Sequence, residues 1–317
     1  MSVTSPRNGA GLPDEGRDPQ APAASQPQSK TTFQTLQAKK RAGEPITALT
    51  AYDYPSARLV DEAGIDLILV GDSLGMVVLG YDSTLPVTMD EMLHHTRAVR
   101  RGVRRALLVA DMPFGSYEVD PSEALRNALR LVKEGGAEAV KLEGGASRVE
   151  LVRRLTEAEL PVVAHLGLTP QAVHRMGGYK VQGRTLDAAE TLLGDALALE
   201  AAGAVAVVLE GVPREVAERV TAALRVPTIG IGAGPGCDGQ ILVLHDLVNL
   251  TFAAAPRFVR RYGDAAAVFA AAITGFAEDV RSGAFPSDQE SYHLDAATRA
   301  GLDAGLTSAE EPIKSRG

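Results

Sequence analysis

DLILVGDS, residues 66–73, is a run of large apolar residues closed by Gly71, Asp72 and Ser73. A strand buried on both faces reads as such a continuous apolar run. The pattern recurs: ALLVAD at 106–111, EAVKLE at 138–143, PVVAH at 161–165, VAVVLE at 205–210 and PTIGIG at 227–232. In a parallel α/β barrel the carboxyl ends of the strands converge on one face, where catalysis is done. Asp72, Asp111, Lys141, Glu143, His165 and Glu210 are therefore expected around one pocket, more charge than a structural role needs.

Working outward, ITALTA at 46–51 supplies another strand, and helical patterns fill the gaps. They cover 55–63, 89–102, 121–133, 147–156, 187–202, 214–224, about 239–249 and 264–282. Thr88 and Glu91 form a capping box for the second, and Asp120 caps the third. RFVRR at 257–261 is taken as the eighth strand, although it is charged. Alternating strands and helices predict a parallel sheet with right-handed crossovers. Eight repeats in about 250 residues predict a closed (β/α)8 TIM barrel. The chain has neither a G-x-G-x-x-G turn after its first strand nor a G-x-x-x-x-G-K-[ST] loop, which argues against dinucleotide and P-loop binding.

Residues 1–30, rich in Pro, Ser, Gln and Gly, cannot bury enough apolar surface to offset their ordering entropy, so a disordered tail is expected. Residues 31–293 are expected to form one barrel domain. Residues 294–317 form a polar tail in which 296–306 can hold a short helix.

With 317 residues, 45% of them hydrophobic, the chain can build a sizeable core. Its net charge of −8 and the absence of a basic stripe argue against nucleic acid. Arg97, Arg100, Arg101, Arg104 and Arg105 sit at the end of one predicted helix, where cations suit the dipole. A single cysteine, Cys237, excludes a disulfide framework or zinc-thiolate cluster within one chain. No apolar stretch is long enough to span a bilayer and no signal-type segment opens the chain, so a cytoplasmic protein without a membrane partner is expected.

Asp72, Asp111 and Glu143 close three successive strands. Adjacent like charges in a partly buried site call for raised pKa values or a cation. A hard divalent ion such as Mg²⁺ takes such oxygen ligands, with Glu143 direct or through water. The structural alternative is that each acid caps the helix after its strand; three on adjacent strands favour the metal. Lys141 shares a strand face with Glu143 and suits a substrate carboxylate or an enolate oxygen. The surrounding acids keep it charged and argue against a Schiff base. Glu210, across the mouth, suits a general base, with a helix cap as its alternative. His165 is either a polar contact to substrate or metal-shell water, or a satisfied core histidine. The glycine-dense run at 230–236 permits anion approach or merely tight packing. GGYKVQGR at 177–184 suits a lid or binding loop.

Several stretches taken together carry a resemblance: TAYDYPSA (50–57), LVGDSLGMVVLGYDSTLPVTMDEM (69–92), ADMPFGSY (110–117), VKLEGG (140–145), HLGLTPQ (165–171), GGYKVQGR, LEGVP (209–213) and IGIGAGPGCDGQILVLHD (229–246). Over residues 32–293 the chain resembles the ketopantoate (3-methyl-2-oxobutanoate) hydroxymethyltransferase family, of the phosphoenolpyruvate-mutase-like barrel superfamily. The resemblance implies Mg²⁺ on Asp72, Asp111 and Glu143. It implies a 2-oxo acid bound by Asp72, Ser73, Asp111 and Lys141, with Glu210 as proton acceptor. It further implies 5,10-methylenetetrahydrofolate as co-substrate, 2-dehydropantoate as product in pantothenate and coenzyme A biosynthesis, and a homo-oligomer, a decamer. Two other readings stand beside it. One is a C–C lyase or mutase of the same superfamily acting on another 2-oxo acid; a phospho-substrate would want more cations than Lys141 and Arg184. The other is a non-catalytic barrel that binds oxo acids as a scaffold, against which the intact acids count.

Overall fold

Eight parallel strands pair in sequence order and β8 returns to β1, closing the barrel. The computed structural model describes residues 29–252 and 254–309, so the tail expected over residues 1–30 lies almost wholly outside them. In chain order the elements are α1 (Phe33–Ala42), β1 (Ile46–Thr50), α2 (Tyr54–Glu62), β2 (Leu67–Val70), α3 (Leu74–Val77), α4 (Met89–Gly102), β3 (Leu107–Asp111), α5 (Pro121–Lys133) and β4 (Ala139–Glu143). Then follow α6 (Val149–Glu157), β5 (Val162–Gly167), α7 (Val173–Met176), α8 (Leu186–Ala201), β6 (Ala206–Glu210), α9 (Arg214–Ala223), β7 (Thr228–Ile231), β8 (Gly239–Leu242), α10 (Leu244–Leu247), α11 (Ala265–Ser282) and α12 (Ala296–Ala309). The capping box of Thr88 and Glu91 and the Asp120 cap form as the sequence predicts. Among the described residues no helix is long and apolar enough to cross a membrane.

Side-chain alternation fixes what faces the barrel axis. One buried cluster joins Ile46 and Ala48 of β1, Leu67 and Leu69 of β2, Leu107 and Val109 of β3, and Ala139 of β4. Val163, Ala206, Val208, Ile229 and Ile241 complete it from β5 to β8. The other face of each strand packs in a larger cluster under the helices. Carrying the inward positions forward along each strand reaches Asp111, Lys141, Glu143, His165 and Glu210.

The bottom of the barrel is closed by α1, which the sequence pattern does not announce. Leu36 is fully buried in the axial cluster, with Phe33 packed beside it. Three salt bridges pin this segment to acids that precede strands: Lys30 to Glu138 and Lys39 to Asp66, each at 2.6 Å, and Lys40 to Asp238 at 2.7 Å. Each acid also accepts a neighbouring strand's amide: Leu108 to Glu138, Thr47 to Asp66 and Thr228 to Asp238.

The eighth strand corrects the sequence reading. It is Gly239–Leu242, not residues 257–261, and the helix expected over 239–249 shrinks to α10. Parallel strands usually need a crossover of a dozen residues or more, yet β7 and β8 are joined by residues 232–238 alone. Glycine makes the short return possible. A Cβ on Gly234 would collide with Arg214, and one on Gly236 with Glu218, both on α9. The glycine-dense run therefore serves close packing, in place of a helix.

Candidate active site

Register sets the strand-end groups side by side. Asp111 of β3 is level with Lys141 of β4, Glu143 with His165 of β5, and Gly167 with Glu210 of β6. Lys141 Nζ lies 3.0 Å from Asp111 Oδ1 and 3.2 Å from His165 Nδ1. His165 Nδ1 stands 3.4 Å from Glu143 Oε1, and its Nε2 3.3 Å from Glu210 Oε2. His165 thus bridges Glu143 and Glu210, so Glu210 belongs to the acid network rather than standing apart across the mouth.

Asp72 lies just beyond β2. Its backbone N–H donates to Asp111 Oδ2 at 3.1 Å. Gly71, at the inward position, leaves room there; a Cβ would come within 2.8 Å of Ser73 Oγ. Ser73 Oγ is 2.8 Å from the buried Tyr52 hydroxyl. The capping alternative fails for all four acids, since Asp120 caps α5 and the N-cap of α6 is Arg148, without a side-chain cap bond. The N-cap of α3 is Ser73 and that of α9 is Pro213, and neither helix receives a side-chain cap bond.

Burial pushes Asp72 well above the usual carboxylate range, with Asp111 and Glu143 adding to the shift. Burial also raises Asp111, against the pull of Lys141. Burial works the same way on Glu143, but His165, Lys141 and the Gln171 amide hold it below its ordinary value. Burial opposes charge on Lys141, yet Asp111, Glu143 and Asp72 outweigh it and raise the ammonium. Burial and Lys141 disfavour charge on His165; its contacts with Glu143 and Glu210 prevail and push it up to about 9.

Strand-end reasoning misses Gln171, which is 5% exposed. Its Nε2 donates to Asp72 Oδ2 at 2.8 Å and to the Met112 carbonyl at 3.0 Å. Its backbone N–H donates to Glu143 Oε2 at 3.0 Å, and its Oε1 accepts from the Tyr117 hydroxyl. That hydroxyl in turn accepts from Glu143 N at 3.1 Å. Gln171 sits on a 3-10 turn after β5, where strand logic gives no signal; only its place in HLGLTPQ marks it. The loop at 177–184 docks through Gln182 N to the Gly211 carbonyl at 2.9 Å. Tyr179, on the same loop, is half-exposed, and burial with the charges of Asp72, Glu210 and Glu143 pushes its hydroxyl up.

Asp72, Asp111 and Glu143 form a hard oxygen donor set suited to a divalent ion. Among the described residues no three acidic, histidine or cysteine side chains are already gathered at ion-holding distances. The acids turn instead to Lys141, His165 and Gln171. Within this cluster two buried atoms nevertheless lack an aligned hydrogen bond, Asp111 Oδ1 and His165 Nε2. Asp111 Oδ1, 3.0 Å from Lys141 Nζ but without an aligned donor, together with the raised Asp72 carboxyl beside it, fits a site that gains from a cation.

The same barrel fold recurs in solved structures of the PEP mutase/isocitrate lyase superfamily. The crystal structure of one member, 2,3-dimethylmalate lyase, superposes with a TM-score of 0.53 at 19% identity, covering 88% of this chain and 98% of that one. The family model for ketopantoate hydroxymethyltransferase matches residues 30–288, and the chain belongs to that family. A 3-methyl-2-oxobutanoate hydroxymethyltransferase of Koribacter versatilis is 64% identical over 275 residues, 87% of this chain and 93% of the relative. One of Geobacter metallireducens is 56% identical over 263 residues, 83% and 98% of the two chains.

Proposed function

We propose that this enzyme transfers a one-carbon unit from 5,10-methylenetetrahydrofolate to C3 of 3-methyl-2-oxobutanoate, giving 2-dehydropantoate for pantothenate and coenzyme A synthesis. The observation that carries the reading is the contact chain Asp111–Lys141–His165–Glu210, which joins a buried cation to a half-buried base. Asp72, Asp111 and Glu143 would hold Mg²⁺, which supplies Lewis acidity at the oxo acid's oxygens when bound. Asp72 and Ser73 border the oxo acid, with Ser73 oriented by Tyr52. Lys141, kept charged by its acid neighbours, faces the keto oxygen and stabilises the negative charge that develops there. Glu210 takes the C3 proton, and the electron pair moves toward that oxygen. His165, with Nε2 3.3 Å from Glu210 Oε2, sets the position of that carboxylate. Water cleaves both carbon–nitrogen bonds of the donor's methylene bridge, its two protons pass to the nitrogens of the departing tetrahydrofolate, and C3 bonds to the carbonyl carbon so released, whose oxygen takes the proton held by Glu210.

Exchange of the C3 proton in D₂O, followed by NMR without folate, isolates the first step. General-base catalysis contributes about 10²–10⁴-fold, so Glu210→Gln should slow exchange by that order. Near-normal exchange in the variant rejects Glu210 as base.

A cytoplasmic homo-oligomer, a decamer by resemblance, fits the rest of the chain. On α11, Phe269 is 54% and Ile273 68% exposed, with Val268 and Phe276 beside them. Contiguous apolar exposure of this kind marks interaction surfaces. Light scattering on the purified protein reads the assembly directly.

A further inference from the structure

Beyond Glu143 the rim opens into a cavity of about 370 Å³ between the loops that follow β3, β4 and β5. That volume lies in the range of sites for drug-sized ligands, roughly 300–1,000 Å³. A small branched oxo acid would fill a minor part of it. The lining is mixed. Buried Glu143 and Gln171 join the cavity to the acid cluster. Phe114 and Tyr117 supply aromatic wall. Arg175 and His174, both exposed, line it as well.

These walls are braced. Glu118 accepts from Gly115 N at 2.8 Å and Tyr117 N at 3.2 Å, which fixes the turn bearing Phe114. The Phe114 ring is left 47% exposed. Arg148 lies over the Tyr117 ring, 4.9 Å from its centroid, and its Nη2 is 3.5 Å from Glu118 Oε1, so its charge is already met. Arg175 is exposed and no hydrogen bond or ion pair involves its side chain among the described residues. An aromatic face, a hydrogen-bonding end next to the reaction centre and a free guanidinium outside define a ligand. It is flat, heteroaromatic and carries carboxylates on an extended tail.

We infer that this cavity is the subsite for the one-carbon donor, a reduced pteridine with a glutamate tail. The ring packs against Phe114 with its transferable carbon toward the Glu143 edge of the acid cluster, and the tail runs out to Arg175. The inference rests on the folate-dependent reaction proposed above and adds where the donor sits.

Calorimetric titration of the full-length protein with tetrahydrofolate, as the monoglutamate and the triglutamate, tests it in the presence of Mg²⁺. Stacking of a flat ring on an aromatic side chain commonly accounts for an order of magnitude in affinity, so Phe114→Ala should raise Kd about tenfold for both ligands. Exposed ion pairs are modest, so Arg175→Glu should raise Kd for the triglutamate about fivefold more than for the monoglutamate. Titration of the same samples with 3-methyl-2-oxobutanoate reports whether the barrel mouth is intact. If the wild-type protein binds neither folate, the donor reading falls and the subsite with it. If it binds both and the two variants stay within about twofold of wild type, the subsite alone is overturned.

Discussion

Replacing Gln171 by Leu keeps the side chain's size and removes all of its hydrogen bonding. The amide nitrogen donates to the Asp72 carboxylate at 2.8 Å and to the Met112 carbonyl at 3.0 Å, and its oxygen accepts from the Tyr117 hydroxyl. All of these partners lie in a buried site where water cannot replace the loss. A lost bond to a charged group costs about 1.5–3 kcal/mol, and each neutral partner left unsatisfied about 1–3 kcal/mol. Adjacent groups relax together, so the total should lie near 3–6 kcal/mol. The main-chain bond from Gln171 to Glu143 survives the change. At about 2–4 °C per kcal/mol for a protein of this size, calorimetry should show Tm falling by roughly 6–24 °C. Asp72 also loses the donor that orients it, and a misplacement of about 1 Å at a reacting centre can cost roughly 10²-fold in rate. Proton exchange per folded molecule should fall by that order. A Tm within about 2 °C of wild type, with exchange unchanged, would refute the claim that Gln171 holds the acids in position.

Leu36→Ala empties the plug at the bottom of the barrel, far from the acids, and should cost about 2–5 kcal/mol in urea unfolding. A loss below about 1 kcal/mol would mean that α1 does not seal the core. Mg²⁺ at a hundredfold excess over Kd should stabilise the wild type by about 2.7 kcal/mol, reversed by a chelator and absent in Asp111→Asn. An equal thermal shift in that variant rejects Asp111 as a ligand. Burial pushes the Cys237 thiol up, with Thr221 and Thr228 pulling the other way. A raised value on an acid means that the folded state favours the neutral thiol. The associated stability is fully present below the unfolded value, about 8.5, and is lost as pH climbs from there through the raised folded value. Iodoacetamide at pH 8 should therefore alkylate the native thiol more slowly than the urea-unfolded one; equal rates would contradict this.

Seven of the eight strands were legible because each is a short, mostly apolar run, closed by a polar residue in most and by glycine after β7. The eighth was not, because strict alternation was carried one step too far. The chain replaces the helix after β7 with a glycine-lined return, and GQIL has too little apolar character to compete with a pattern that expected a helix there. Helix α1, FQTLQAKKRA, was missed for a related reason. Its two apolar anchors make sense only once a closed barrel offers an open bottom to fill. The acids were legible because strand parity carries directly to the rim. Gln171 was not, because its role depends on a turn folding back over three neighbouring strands.

The barrel carries acids at both rims, and residue type alone does not separate them. Asp66, Glu138 and Asp238 precede strands, and each accepts a backbone amide from an adjacent strand and a lysine from the α1 segment. Every charge there has a dedicated partner, which is what a structural acid looks like. At the other rim Asp72, Asp111 and Glu143 lie at most 5% exposed and share a single lysine. Asp72 and Asp111 are driven toward protonation, and Asp111 keeps an oxygen without an aligned donor. Breaking one partner of a buried charge pair typically costs 3–5 kcal/mol, so a fold selected for stability alone would not gather a third and fourth charge at the same place. The bottom rim is complete within the chain, whereas the top rim crowds its acids around Lys141 and His165 and would gain from a cation, as the Mg²⁺ proposed there requires. That asymmetry is a physical ground for looking for the chemistry at the top rim.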